Sequence, residues 1–321
     1  MNWQRAAKWK RSCGLHKNTH LLQPYSIENH SIVQAGVRPA CVNLVSSKQP
    51  MTNKKCVPLL SFCLAAIIFI AGCTGPNQAS QNAVENDGWM SLFNGTDLNN
   101  WIVKIHRHEV GFNFGNTFRA EDSMIKVRYD QYNDFQEQFG HLYYKTPFSD
   151  YHLKLEYRFS GELQKGAPSY TLLNSGVMFH SQDPRSMPKE QDWPISIEMQ
   201  FLAGLGDGKP RPTGNMCSPG TEIVYLGKQY EGHCLNSTSK TYGKEEWVKA
   251  ELIVRHDSLI THIINGDTVL QYSKPTMGGG VVNRYHPSVW QPGKPLTSGY
   301  IALQSEGQPI EFRNIYLKKL N

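Results

Sequence analysis

From Gly88 to the C-terminus, apolar and polar residues alternate in short runs, and a helical period is almost absent. His152 to Phe159 sets Leu153, Leu155, Tyr157 and Phe159 on one face and His152, Lys154, Glu156 and Arg158 on the other. Gly176 to His180 turns Val177 and Phe179 inward and Met178 and His180 outward. Ile195 to Phe201 sets Ile195, Ile197, Met199 and Phe201 against Ser196, Glu198 and Gln200. Trp89–Phe93, Trp247–Arg255, Tyr300–Ser305 and Ile310–Leu317 read as further strands. His262–Ile264 and Thr268–Tyr272 flank Asn265-Gly266, the sequence of a two-residue hairpin turn. Many short strands at this spacing predict an all-β sandwich or jelly roll. No internal repeat or linker interrupts 88–321, which reads as a single domain.

Residues 204–246 and 274–298 are too rich in Gly and Pro to be strands throughout. Loops of that length in a compact domain are usually binding rims. They carry Tyr230, Tyr242, Tyr285, His286 and Trp290, whose rings suit the C–H faces of sugars or pack under their own loops. Gly278-Gly279-Gly280 reads as a flexible loop.

The N-terminal third differs in kind. Lys54 and Lys55 precede an apolar run, Val57 to Ile70, that ends in Ala71-Gly72-Cys73. A basic start, a short apolar stretch and small residues before the cut make a secretory signal, and the run is too short to span a bilayer. A Cys directly after Ala-Gly resembles a bacterial lipobox, so Cys73 is the expected lipidation site. Residues 1–50 read as a non-native extension before a true start at Met51, 51–72 as signal peptide and 73–87 as tether. The expected location is the cell envelope, lipid-anchored, on the outer membrane facing the periplasm.

Charge changes one reading. The formal net charge is +6, but residues 1–72 hold nine Lys/Arg and one acid. From totals of 33 and 27 this leaves 24 basic against 26 acidic residues in the remainder, so no nucleic-acid partner is expected. Of seven Cys, only Cys217 and Cys234 remain in the domain once Cys73 is acylated. An even pair in an oxidising compartment predicts a disulfide. Closing so short a loop is worth on the order of 3 kcal/mol in the chain-entropy picture.

Alternation also gathers polar residues of catalytic type: Glu156, Arg158, His180, Glu198, Gln200, Gln304 and Glu306. If their strands are neighbours, these share one surface, where crowded carboxylates shift one another's pKa as acid/base work requires. The alternative is a solvated sheet face with cross-strand ion pairs. His180 with Glu198 could hold a divalent cation, the one cofactor this face suggests. His233, His256 and His262 read as surface or internally satisfied histidines. No nucleophile-elbow, P-loop or dinucleotide fingerprint is present.

Five segments together resemble a known family: Gly88 to Trp101 (GWMSLFNGTDLNNW), Asp150 to Arg158 (DYHLKLEYR), Asn174 to His180 (NSGVMFH), Ile197 to Gln200 (IEMQ) and Gly299 to Tyr316. They resemble the 3-keto-disaccharide hydrolase domain family over roughly 88–320. The resemblance implies a concanavalin A-like jelly-roll sandwich, frequent in lipoproteins, that cleaves glycosides oxidised at C3. The family often has Arg where this chain has His180. The expected catalytic residues are Glu198, His180 and Glu306, with Glu156, Arg158, Gln200, Gln304 and Trp290 at the substrate. Two other readings stay open. One is a two-carboxylate glycosidase using Glu198 with Glu306 or Glu156 on unoxidised glycosides. The other is a carbohydrate-binding module without turnover.

Overall fold

Strand β6 (Asp150–Phe159) is buried at every second residue along its whole length, as its alternation predicts. By contrast β7 (Asn174–Ser181) is buried at every position. The first belongs to a sheet with one face in water, the second to a sheet covered on both faces. The structure, a computed structural model, describes residues 87–321. The expected extension (1–50), signal peptide (51–72), lipidated Cys73 and all of the tether except Asp87 lie outside the described residues.

Two antiparallel sheets pack face to face. The large sheet runs β11 (Lys228–Gln229), β10 (Thr221–Tyr225), β15 (Asp267–Met277), β14 (Leu259–Ile264), β13 (Val248–Arg255), β6, β17 (Ile310–Lys319), β4 (Met124–Val127) and β3 (Phe118–Glu121), with β1 (Trp89–Ser91) also on β17. The small sheet runs β12 (Cys234–Leu235), β9 (Asn215–Cys217), β8 (Ile197–Leu202), β7, β16 (Tyr300–Ser305), β5 (Gly140–Tyr144) and β2 (Trp101–Ile105). This is the expected jelly-roll sandwich of the concanavalin-like kind, with described residues in one compact unit.

The core is the layer between the sheets. Tyr157 of β6 stacks on Phe201 of β8, ring centroids 4.0 Å apart, and Leu153, Phe159, Val177, Phe179, Ile197, Leu303 and Phe312 fill the same layer. Deleting one such aromatic costs about 3–5 kcal/mol. His262 lies in this layer, its Nδ1 at 2.8 Å from the Gly214 carbonyl and its Nε2 at 2.9 Å from the Tyr272 hydroxyl. Burial pushes its pKa down to about 4, so it serves as a neutral, satisfied core residue.

Local chemistry explains the connections. Asn265 and Gly266 have φ of 49° and 93°, as the β14–β15 hairpin requires. The predicted disulfide is present: Cys217 and Cys234 are register partners across β9 and β12, with an S–S bond of 2.07 Å. The Gly/Pro-rich stretch 204–246 is not strand throughout, as its composition predicts, but it holds four short strands, β9 to β12, among its loops. The triple glycine is not a free loop either. Gly280 accepts from the Gly220 amide at 2.8 Å, and the Gly278 amide donates to the Gly220 carbonyl at 3.1 Å.

Candidate active site

On the side of the small sheet away from the core, cross-strand register builds a polar row. Lys104 lies opposite His141, His141 opposite Gln304, Gly176 opposite Gln200, and Gln200 opposite Asn215. The pairing of Leu303 with Val177 brings Gln304 beside Gly176. The adjoining row is Tyr143, Ala302, Met178, Glu198 and Cys217. Gly176 lets Glu198 lean across its neighbouring strand: a Cβ there would meet Glu198 Oε1 at 2.6 Å. Gln304 is the hydrogen-bonding side chain beside the Glu198 carboxyl. Glu306 follows directly on the end of β16.

Lys104, His141, Asn174, Glu198, Gln200, Asn215, Gln304 and Glu306 are all buried, so their charges carry a heavy desolvation cost. Burial raises Glu198 to a pKa of about 8. Burial also raises Glu306 well above the carboxylate range, and the nearby Glu198 charge adds to that while Arg211 opposes it. Two buried carboxyls that repel each other hold protons more tightly than ordinary carboxyls, and ionisation of one opposes ionisation of the other. Burial lowers His141 to about 3, with the Lys104 charge as second cause, so its imidazole is neutral. Burial also lowers Lys104 to about 8; its Nζ donates to the carbonyls of Ile105 and Lys189 at 3.0 and 3.1 Å.

Arg211 is fixed by three carbonyls, donating to Leu172 at 2.8 Å, Leu173 at 3.2 Å and Ala203 at 2.5 Å. Trp193 covers His141 edge-on at 5.5 Å. His141 Nε2, Asn174 Oδ1, Gln304 Oε1 and Glu306 Oε2 are buried without a hydrogen-bond partner in the protein. Unsatisfied polar atoms are rare in native interiors, and four on one face mark where a polar ligand would bind.

Of the expected residues, the structure brings together Glu198, Gln200, Gln304 and Glu306. It does not bring the other four to them. Glu156 and Arg158 lie on the large sheet. There Glu156 accepts from Arg313 Nε at 2.7 Å and Arg158 donates to Glu311 at 3.1 and 2.5 Å. The guanidinium groups of Arg158 and Arg313 also stack on Trp247. The expected single face is thus two faces on opposite sheets. His180 leaves the alternation because its φ is 46°, and its Nε2 bonds the His256 carbonyl at 2.9 Å in the β13–β14 turn. Trp290 stacks on Tyr285 at 4.6 Å and packs with Ile195, Met277 and Val282 under its own loop.

The sequence reading missed Lys104, His141, Asn215 and Arg211. The signal was available for two: Lys104 is the one charge in Trp-Ile-Val-Lys-Ile, and His141 stands alone in Gly-His-Leu-Tyr-Tyr.

For metal binding, His180 and Glu198 engage different parts of the molecule and form no ligand pair. Among the described residues, a group of three with ligand spacing is Cys217, His233 and Cys234, whose sulfurs are joined to each other. A cleft of about 490 Å³ opens beside that disulfide, lined in part by Ser218, Glu222, Tyr230 and His233. It does not contain the carboxyl pair Glu198 and Glu306.

A family described as the 3-keto-alpha-glucoside-1,2-lyase-like domain matches residues 88–318. The chain belongs to this family. No curated protein matches it. Among solved structures, a "putative glycosyl hydrolase" from Parabacteroides distasonis ATCC 8503 is 17% identical, with a TM-score of 0.46, covering 75% of this chain and 99% of its own. A second structure of that description from the same organism is 19% identical, with a TM-score of 0.44 and coverages of 72% and 99%. The carbohydrate-binding module CBM66 from Bacillus subtilis is 9% identical, with a TM-score of 0.35 and coverages of 72% and 96%. Family membership makes this a glycoside-acting domain, and its polar face is where the buried acids stand.

Proposed function

We propose that the chain cleaves the glycosidic bond of C3-oxidised glycosides by elimination, with Glu198 as base and Glu306 as acid. The observation that carries this is the pair of buried, mutually repelling carboxyls beside unpartnered polar atoms of His141 and Gln304 on one face. A carbonyl at C3 acidifies the C2 proton. Ionised Glu198 takes that proton, and the C2–H electrons form an enolate with the C3 oxygen. The enolate collapses to restore C3=O, the C1=C2 bond forms, and the C1–O bond breaks. The leaving oxygen takes the proton of Glu306, so the pair ends with one proton, now on Glu198. Addition of water to C1 would then give the free 3-keto sugar.

The chain's own groups suit the remaining tasks. Gln304 stands beside Glu198, and neutral His141 can present an N–H to the enolate oxygen. Lys104 behind His141 supplies positive potential without titrating the imidazole. Gln200 and Asn215, bonded to each other at 3.0 Å, offer amides to sugar hydroxyls. Glu306, and not His180, is thus the acid/base partner of Glu198.

The leader sequence supports an envelope location for this activity, with acylation of Cys73 anchoring the domain on the outer membrane towards the periplasm. The test is to incubate the protein with a 3-keto-disaccharide and its unoxidised parent, with and without EDTA, and follow aglycone release. Release from the keto sugar alone is expected. Turnover of the unoxidised parent would instead favour the two-carboxylate glycosidase, and saturable binding without turnover a lectin-like module. Loss of activity in EDTA would add a divalent cation to the site.

A further inference from the structure

The cleft of about 490 Å³ beside the disulfide lies outside the carboxyl face, yet it is joined to it through the chain. Cys217 is the register partner of Glu198, Ser218 follows Cys217, and His233 precedes its disulfide partner Cys234. Ser218 and His233 both line the cleft. Gly279 and Gly280 of the triple glycine also line it, and the run is drawn close to β10: a Cβ on Gly278 would meet the Glu222 side chain at 2.8 Å, and one on Gly279 the Thr221 carbonyl at 2.9 Å. These glycines therefore shape a fixed wall, which explains a motif that the catalytic face leaves unused.

The cleft falls within the size range of small-ligand sites, roughly 300–1,000 Å³. Its lining carries the ring of Tyr230, the amide of Gln229, the carboxylates of Glu222 and Glu231, the imidazole of His233 and the hydroxyl of Ser218, with no Lys or Arg. Tyr230 is held in place by its hydroxyl, which donates to the Cys234 carbonyl at 2.8 Å, and Gln229 donates to Glu222 at 2.7 Å. An aromatic face with amide and carboxylate acceptors fits the C–H surface and hydroxyls of a sugar. Two carboxylates without a balancing cation repel anionic ligands.

We propose that this cleft is a second saccharide subsite, taking the neutral part of a glycan that extends from the scissile bond over the Cys217–Cys234 edge. The proposal rests on the reading of the chain as a glycoside-acting enzyme, and extends its substrate from a disaccharide to an uncharged oligosaccharide. Uronic or sulfated sugars are excluded from this position.

The test uses the whole chain and the double variant Gln229→Ala/Glu231→Ala, both side chains exposed and outside the catalytic face. Titration calorimetry with neutral tetrasaccharides (maltotetraose, cellotetraose, laminaritetraose) and with tetragalacturonate reads binding directly. At least one neutral tetramer is expected to bind the wild type, the uronate is not, and the double variant is expected to bind about tenfold more weakly, the loss of one or two hydrogen bonds. Turnover of a 3-keto-disaccharide by the variant is expected to be unchanged. Absence of binding by every neutral tetramer, equal binding by wild type and variant, or preference for the uronate would overturn the subsite. Binding that persists when no keto sugar is turned over would overturn the elimination reading and leave the subsite standing.

Discussion

Glu198 and Glu306 are placed where a carboxyl is hardest to ionise, and the same burial that makes them reactive makes them costly. Replacing either with Gln keeps the shape and removes the titrating proton. Each variant should lower kcat/KM on a 3-keto-glycoside by about 10²–10⁴, the range for losing a positioned acid or base. Because the base must be ionised, the wild-type rate should rise with pH through about 8, the value to which burial raises Glu198. A rate that is flat from pH 6 to 9 would remove Glu198 from the role. The stability consequence has its own sign. Glu198 binds its proton more tightly folded than unfolded, so its contribution is fully present below about pH 4.5 and is lost as pH rises through about 8. Glu198→Gln should therefore melt with the wild type near pH 4 and above it at pH 8, by on the order of 4 kcal/mol as an upper bound. Thermal melts at the two pH values check this. At this scale Glu198, Gln200 and Gln304 were legible because each interrupts an apolar strand at regular spacing. His180 was not, because a single positive φ turns a side chain that period two sends outward.

The element that makes the carboxyl pair possible is β7, and within it Gly176. With no side chain there, Glu198 on β8 crosses β7 towards Gln304 on β16. Gly176→Ala would set a methyl group 2.6 Å from Glu198 Oε1 and 2.9 Å from the Met199 carbonyl. Overpacking of this kind costs about 1–3 kcal/mol, and it should displace Glu198 enough to abolish most turnover while the sandwich still folds. Gly243→Ala, where the nearest atom is Glu246 Oε2 at 3.7 Å, should change neither stability nor rate by more than a few tenths of a kcal/mol. Equal rates for the two variants, measured with far-UV dichroism as the folding control, would mean that Glu198 does not need the path over Gly176. Elements themselves were read unevenly from sequence, for local reasons. Asn265-Gly266 announced its hairpin. The β3–β4 hairpin turns through Asp122 and Ser123, with φ of 52° and 58° and no glycine to signal it. Strand β5 is buried at every position and β2 at all but Ile102, so neither shows the clean alternation that marked β6.

Across the whole molecule the two sheets have opposite duties, and period two cannot tell them apart. Glu156 and Arg158 carry the same alternation as Glu198 and Gln200, yet strand pairing between residues far apart in the chain assigns them to the large sheet. There β6 is flanked by β13 and β17, and its polar residues meet Arg313 and Glu311 of β17 instead of a ligand. The Arg313–Glu156 pair is partly exposed, with side-chain exposures of 39% and 27%, so solvent screening limits it to about 0–1 kcal/mol, whereas Glu311 is buried and keeps Arg128 as a partner when Arg158 is removed. Sequence alternation thus identified a polar face on both strands and left open which side of the sandwich it occupies, because that depends on contacts 153 and 157 residues away. The separation of duties has a direct consequence. Glu156→Ala and Arg158→Ala should leave kcat/KM on a 3-keto-glycoside within about twofold of wild type and lower stability only slightly. Lys104→Met and His141→Phe, buried on the small sheet, should lower turnover sharply with less effect on substrate binding, because they act on charge that develops in the transition state. If instead the Glu156 and Arg158 variants lost activity and the Lys104 and His141 variants kept it, catalysis would belong to the solvent-facing side of the large sheet, and the buried acids would be structural.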